Sequence, residues 1–389
     1  MRSDHPTPPI PSHAPYAFGL DLVRFGCALM VALFHFTWRT VDEAHVMPFG
    51  WIGVQVFFVV SGVVIANSAL ASTPYRFVRS RFLRLYPAAW IAAAISFAIL
   101  ALVPWSAYQA LGIGVIPQLG ALARSLTLVG DYALATSYWT LPIEIAFYLL
   151  VLTTLLRRGI GLRAVARLLA LASSAYLIAL SYALAATSGP GWLDLGYGMK
   201  NMLLLRHGVF FAIGIYVWIA VQQRRLERSD CLLLVLCLAT GALEIICRAL
   251  TLMGIYAVGE EGRLGLTPVM LGALLVFGIM LALICLSLVN ARRWTPAPRM
   301  GAFVRMLGLV TYPFYLVHEV AGGAILHAAL GHGLGRPAGL ALALAGALGL
   351  AWLIAAFAEP ALRNAIIHTA RWTRGHGLRL RTVLRGQGA

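Results

Sequence analysis

The sequence is poor in charge. Of 389 residues, 11% are charged, Asp and Glu together number 14, and 60% are hydrophobic. A soluble domain carries about 25% charged residues, so a water-soluble globular class is excluded. The same hydrophobicity excludes disorder. Cysteine is scarce too. Cys27, Cys231, Cys237, Cys247 and Cys285 all lie inside apolar stretches, where they read as small hydrophobes, and a disulfide scaffold is excluded. No Gly-rich phosphate loop, zinc spacing or nucleophile elbow occurs, so no metal site is expected. The class left is an all-α, polytopic membrane protein.

The 30 basic residues give a net charge of +16. They sit in short clusters between long apolar stretches and form no contiguous basic face, which argues against a nucleic-acid partner. A spanning helix needs about 20 mostly apolar residues. On that basis ten spans are expected, near 17–38, 51–71, 85–104, 138–156, 164–186, 202–221, 231–252, 266–289, 307–329 and 338–358. The stretch 105–137, broken by Pro117 and several Gly, reads as an outer loop with a re-entrant or interfacial helix.

With the N-terminus inside, 23 basic residues fall on the cytoplasmic side and 7 outside. Retention of Lys and Arg in the cytoplasm therefore predicts both termini cytoplasmic, in an inner membrane. The expected organisation is a polar N-terminal tail at 1–16, a transmembrane domain at 17–360 and a basic tail at 361–389. Met1–Tyr16 is polar and Pro-rich, and no cleaved signal is expected there.

Ionisable groups inside spans are costly and mark function by default. Arg24 and His35, in LDLVRFGCALMVALFHF, are eleven positions apart. That separation is three turns plus about 20°, so both point to one face about 16 Å apart along the axis. In RFVRSRFLRLYP, Arg81 and Arg84 are i, i+3 neighbours whose planar forks suit phosphate. Glu144 in SYWTLPIEIAFYLL has Tyr148 one turn on, and by depth His35 is its expected partner. In TYPFYLVHEV, Thr311, Tyr315 and His318 share a face within about 60°. Glu244 and Arg248 are spaced to neutralise one another, and His207, His327 and His332 read as solvated residues near outer ends. Ser61 lies between Gly53 and Gly62 in a stretch suited to close helix packing.

Taken in order, LDLVRFGCALMVALFHF, GWIGVQVFFVVSGVVI, RFVRSRFLRLYP, YWTLPIEIAFYLL, TYPFYLVH and the closing EP resemble the acyltransferase 3 family of membrane acyltransferases, from about Gly19 to Pro360. The resemblance implies transfer of an acyl group, usually acetyl, from cytoplasmic acyl-CoA to a hydroxyl of a glycan, glycolipid or lipid-linked sugar at the outer face. Acyl-CoA would be a co-substrate, with no permanently bound cofactor. His35 would be the catalytic base and Glu144 the acidic residue of the W-S/T-L-x-x-E pattern. Arg24, Arg81 and Arg84 would hold the donor, with Ser61, Trp139, Tyr148, Tyr315 and His318 supporting. The chain departs from the family at Gln55 and Ile145, where acidic residues are common, and at Pro142.

The residues read alone also fit a proton-coupled transporter of an anionic or glycan-like substrate, with His and Glu as the relay. Such transporters often carry internal repeats, and none relates residues 1–195 to 196–389.

Overall fold

The computed structural model describes residues 16–37, 46–70, 72–102, 119–128, 134–157, 159–185, 202–223, 225–256 and 266–386. It is helical throughout, with no strand among the described residues. The helices are α1 (Phe18–Thr37), α2 (Gly53–Leu70), α3 (Pro74–Leu102), α4 (Leu119–Thr127), α5 (Thr140–Leu156), α6 (Leu162–Ala185) and α7 (Gly208–Gln223). They continue as α8 (Arg228–Tyr256), α9 (Leu266–Val289), α10 (Pro298–Val317), α11 (Gly323–Gly331), α12 (Arg336–Leu353) and α13 (Glu359–Gly386). Short 3₁₀ turns, Gly50–Ile52 and Thr136–Trp139, lead into α2 and α5. π-turns, His318–Gly322 and Ile354–Ala358, join α10 to α11 and α12 to α13.

Among the described residues, nine helical segments are long and apolar enough to cross a membrane. The tenth apolar helix, α7, has 16 residues. At 1.5 Å per residue it is about 24 Å long, short of the roughly 30 Å hydrocarbon core. Its surroundings account for that. Every residue from Gly208 to Ile219 is buried, so α7 is ringed by protein and its ends need not match the lipid. The span expected at 202–221 begins late because residues 203–207 form a turn, with Leu204 at φ +58°.

Apolarity does not report burial in this fold. The apolar window of α2 is 72% buried, whereas that of α9 is 22% buried and faces lipid. α2 and α7 cross at two glycines. A Cβ on Gly214 would stand 2.9 Å from Gly62 Cα, so the backbones touch where only glycine fits. Gly53 meets the Cys27 carbonyl of α1 in the same way.

Three prolines sit where the helix tolerates or uses them. Pro142 is the third residue of α5, where the missing N–H has no intrahelical acceptor to lose, so its departure from the family pattern costs little. Pro360 is the second residue of α13, and the helix runs on past the expected end at 358. Pro87 lies inside α3, which begins at Pro74 rather than near 85, so RFVRSRFLRLYP is helical from its first residue.

Of the stretch 105–137, residues 105–118 and 129–133 lie outside the described residues. The part described is α4 and the start of the second 3₁₀ turn. α4 is pinned to α3, with Trp90 Nε1 donating to the Leu126 carbonyl at 2.8 Å and the Tyr86 hydroxyl to that of Thr127 at 3.3 Å.

Candidate active site

α1, α2, α3, α5, α10 and α13 enclose a cavity of about 560 Å³. Along α10 its wall runs from Arg305 to Tyr315, ten residues or about 15 Å of helix. One end is cationic. Arg24, Arg81, Arg84, Arg305 and Arg363 all line it, against two carboxylates, Asp21 and Glu144. The middle is apolar, formed by Phe57, Val60, Val64, Ile65 and Leu141. The other end carries the hydroxyls of Thr140 and Tyr315, 3.2 Å apart.

The arginines are held by aromatic rings and short polar side chains that leave their forks beside the cavity. Arg81 lies over Phe77 and Tyr148, at 5.9 and 5.8 Å, and its Nη2 donates to Ser68 Oγ at 3.3 Å. Arg84 lies over Tyr312 at 5.9 Å. Arg305 lies over Tyr16 and Phe18, at 5.0 and 5.3 Å. Arg24 is 3.8 Å from Asp21, whose other oxygen accepts the Tyr16 hydroxyl, and Arg363 is 3.9 Å from Glu359. Arginine stacked on aromatic faces keeps its donors directed and loses less freedom when a phosphate binds.

Glu144 accepts hydrogen bonds from Ser61 Oγ, at 3.2 Å, and from the Tyr148 hydroxyl. Ser61, Tyr148 and Arg81 therefore form one chain of contacts ending on this carboxylate. His35, the partner expected for Glu144 from depth along the spans, meets His318 instead. Depth fixes height in the membrane but not which helix faces which.

His35 Nδ1 is 2.7 Å from His318 Nε2, and the two rings lie within 3° of parallel. His318 Nδ1 is 2.8 Å from the Tyr315 carbonyl and so must donate to it. With His318 neutral, its Nε2 carries the lone pair and accepts the proton on His35 Nδ1. That fixes the His35 tautomer with its own lone pair on Nε2. The π-turn at His318–Gly322 begins at this residue, and wide turns of that kind recur at functional sites. The neighbouring Glu319, 9% exposed, accepts Thr136 Oγ1 at 2.6 Å and the Ser137 amide at 2.9 Å. It thereby ties α10 to the turn that opens α5. Tyr315 both lines the cavity and touches the His318 ring, with centroids 5.8 Å apart, so it stands between the cavity and the histidine pair.

Trp139 lies elsewhere, in a polar cluster beside α7 and α8. Its ring packs on His207 at 5.4 Å and Phe58 at 6.4 Å, under Arg248 at 5.9 Å. His207, expected to be solvated, is 3% exposed. Glu244 pairs with Arg206, in the turn before α7, Nε to Oε1 3.1 Å, and accepts Gln55 Nε2 at 3.4 Å. The ion pair of Glu244 is thus with a turn residue, where the spacing predicts one with Arg248. Asp21, Tyr16, Arg305, Arg363 and Thr140 join the cavity without having stood out as candidates. Asp21 has a local signal, three residues before Arg24, whereas Arg305 and Arg363 are among the basic residues that the charge distribution places on the cytoplasmic side.

Together the helical bundle and its arginine-lined cavity define a polytopic membrane protein with a charged internal site. A family model described as an acyltransferase domain matches residues 18–356, and the chain belongs to the acyltransferase 3 family. No curated protein and no solved structure matches it.

Proposed function

We propose that the protein moves an acyl group, acetyl in the first instance, from acyl-CoA to a hydroxyl of a glycan, glycolipid or lipid-linked sugar. The observation that carries this reading is the arginine-ended cavity, which is charged where a nucleotide would sit and apolar where an acyl-pantetheine arm would run. Five guanidinium groups against two carboxylates favour a polyanion, and planar forks bind phosphate oxygens in pairs. The uneven distribution of Lys and Arg along the sequence would set that end in the cytoplasm of an inner-membrane protein, where acyl-CoA is made.

In the proposed reaction His35 Nε2 takes the proton of the acceptor hydroxyl as its oxygen attacks the thioester carbon. The C–O bond forms, the C–S bond breaks, and the coenzyme A thiolate leaves, receiving the proton back from His35. His318 would hold the reactive tautomer, a positioning role resembling that of the third member of a triad. Glu144, held by Ser61 and Tyr148, would keep Arg24 and Arg81 oriented toward the donor. The apolar stretch of the cavity would keep water away from the thioester and so protect it from hydrolysis.

The test is transfer of label from [¹⁴C]acetyl-CoA to a mixed pool of glycans and glycolipids by the protein in lipid nanodiscs. Label appearing in acceptor, with stoichiometric free coenzyme A, supports the reading. Absence of both transfer and coenzyme A binding overturns it.

A further inference from the structure

Besides its arginines and carboxylates, the cavity holds only a few polar side chains. Ser61 and Tyr148 are taken by Glu144, and Thr311 Oγ1 donates back to the Leu307 carbonyl at 2.7 Å. Thr140 and Tyr315, from α5 and α10, are both buried and both line the cavity. Thr140 Oγ1 is placed to donate to the Ser137 carbonyl at 3.3 Å, which makes it the acceptor for Tyr315 across their 3.2 Å contact. The Tyr315 ring is braced edge-on by Phe57, with centroids 5.7 Å apart, and by the tilted His318 ring at 5.8 Å. Its hydroxyl is therefore a positioned O–H at the apolar end, held by a neutral acceptor that it can leave for a charged one.

We propose that Tyr315 is the oxyanion donor of the transfer reaction, with Thr140 as its positioning residue. The inference rests on the acyl-CoA reading of the cavity. When the acceptor oxygen bonds to the thioester carbon, the carbonyl π pair moves onto its oxygen. The Tyr315 proton turns from Thr140 to that oxygen without leaving Tyr315. Collapse restores the carbonyl, expels the thiolate and returns the hydroxyl to Thr140. A hydrogen bond to a developing anion is stronger than the neutral one it replaces, so the contact strengthens in the transition state, as catalysis requires. The same residue shares a helix turn with His318, which couples the oxyanion donor to the base pair through one rigid segment.

The test uses the full chain in nanodiscs with [1-¹³C]acetyl-CoA as probe, comparing wild type, Tyr315→Phe and Thr140→Val. Isotope-edited infrared reads the bound thioester carbonyl, and binding and transfer are measured alongside. In the wild type the carbonyl stretch is expected below its value in apolar solvent. In Tyr315→Phe it should return toward that value, with donor affinity within twofold and turnover lower by roughly 10²–10³-fold. Thr140→Val should lose about tenfold in turnover, the equivalent of one neutral hydrogen bond. Unchanged turnover and carbonyl frequency in Tyr315→Phe would overturn the inference while leaving the donor site standing. Should that variant fail to accumulate, wild-type turnover in Thr140→Val would overturn it equally. A wild type that binds no acetyl-CoA would overturn the donor reading itself, and this inference with it.

Discussion

Replacing Arg81 and Arg84 together by alanine is expected to weaken acetyl-CoA binding without abolishing the fold. The two residues are half-buried on one face of α3 and line the cavity with Arg24, Arg305 and Arg363. A hydrogen bond to a charged group contributes about 1.5–3 kcal/mol, and partial exposure places each arginine near the lower figure. One such loss is roughly tenfold in affinity, and neighbours three residues apart do not add fully, so the double variant should bind roughly 30–100-fold more weakly. Ionic strength supplies the second axis. Screening shortens from about 10 Å at 0.1 M salt to about 3 Å at 1 M, so wild-type affinity should fall across that range and the variant's should fall less steeply. Arg81→Lys separates charge from fork geometry and should lie between the two, because a point charge cannot make the paired contact. Calorimetry of acetyl-CoA binding in nanodiscs measures all of this. A double variant within twofold of wild type, with the same salt slope, would refute a phosphate site at this end of the cavity.

Other outcomes follow from other contacts. His318→Phe keeps a ring but removes the acceptor that fixes the His35 tautomer. Turnover should drop roughly tenfold to hundredfold, less than the 10²–10⁴ expected from losing a general base, with a changed pH–rate profile and unchanged donor affinity. Arg206→Ala leaves the carboxylate of Glu244, 1% exposed, with Gln55 as its cross-helix donor, and should cost about 3 kcal/mol in stability, read as earlier thermal unfolding in detergent. Gly62→Ala drives a methyl group into the backbone of α7 at Phe211 and Gly214. It should cost at least the 1–3 kcal/mol, roughly, of an overpacked core, seen as loss of monodisperse protein on gel filtration.

What the sequence discloses about this fold is what depends on one helix at a time. Apolar runs of spanning length locate nine crossing segments and the short α7, because hydrocarbon imposes the same length on any lipid-facing helix. The i, i+3 spacing of Arg81 and Arg84 likewise puts both on the cavity wall. Relations between helices are not legible in that way. His35 meets His318 rather than Glu144, and Glu244 meets Arg206 rather than Arg248, since neither height in the membrane nor spacing along a helix specifies which face a neighbour presents. The burial of His207 and the shortness of α7 share that cause, for both reflect enclosure by protein, which apolarity alone cannot tell from enclosure by lipid. Arg305 and Arg363 carry no local mark of the cavity, because it is lined by helices far apart in the sequence. Asp21 is different. It stood three residues from Arg24, and its tie to that guanidinium was available from helix spacing alone.

The most direct measurement compares wild type with His35→Ala in nanodiscs, following acetyl-CoA binding and acceptor-dependent release of coenzyme A in one preparation. Retained binding with release lowered roughly 10²–10⁴-fold is the expected result for a general base lying beyond the donor cavity. Full acceptor-dependent release by His35→Ala would contradict that assignment and require another group to take the acceptor's proton.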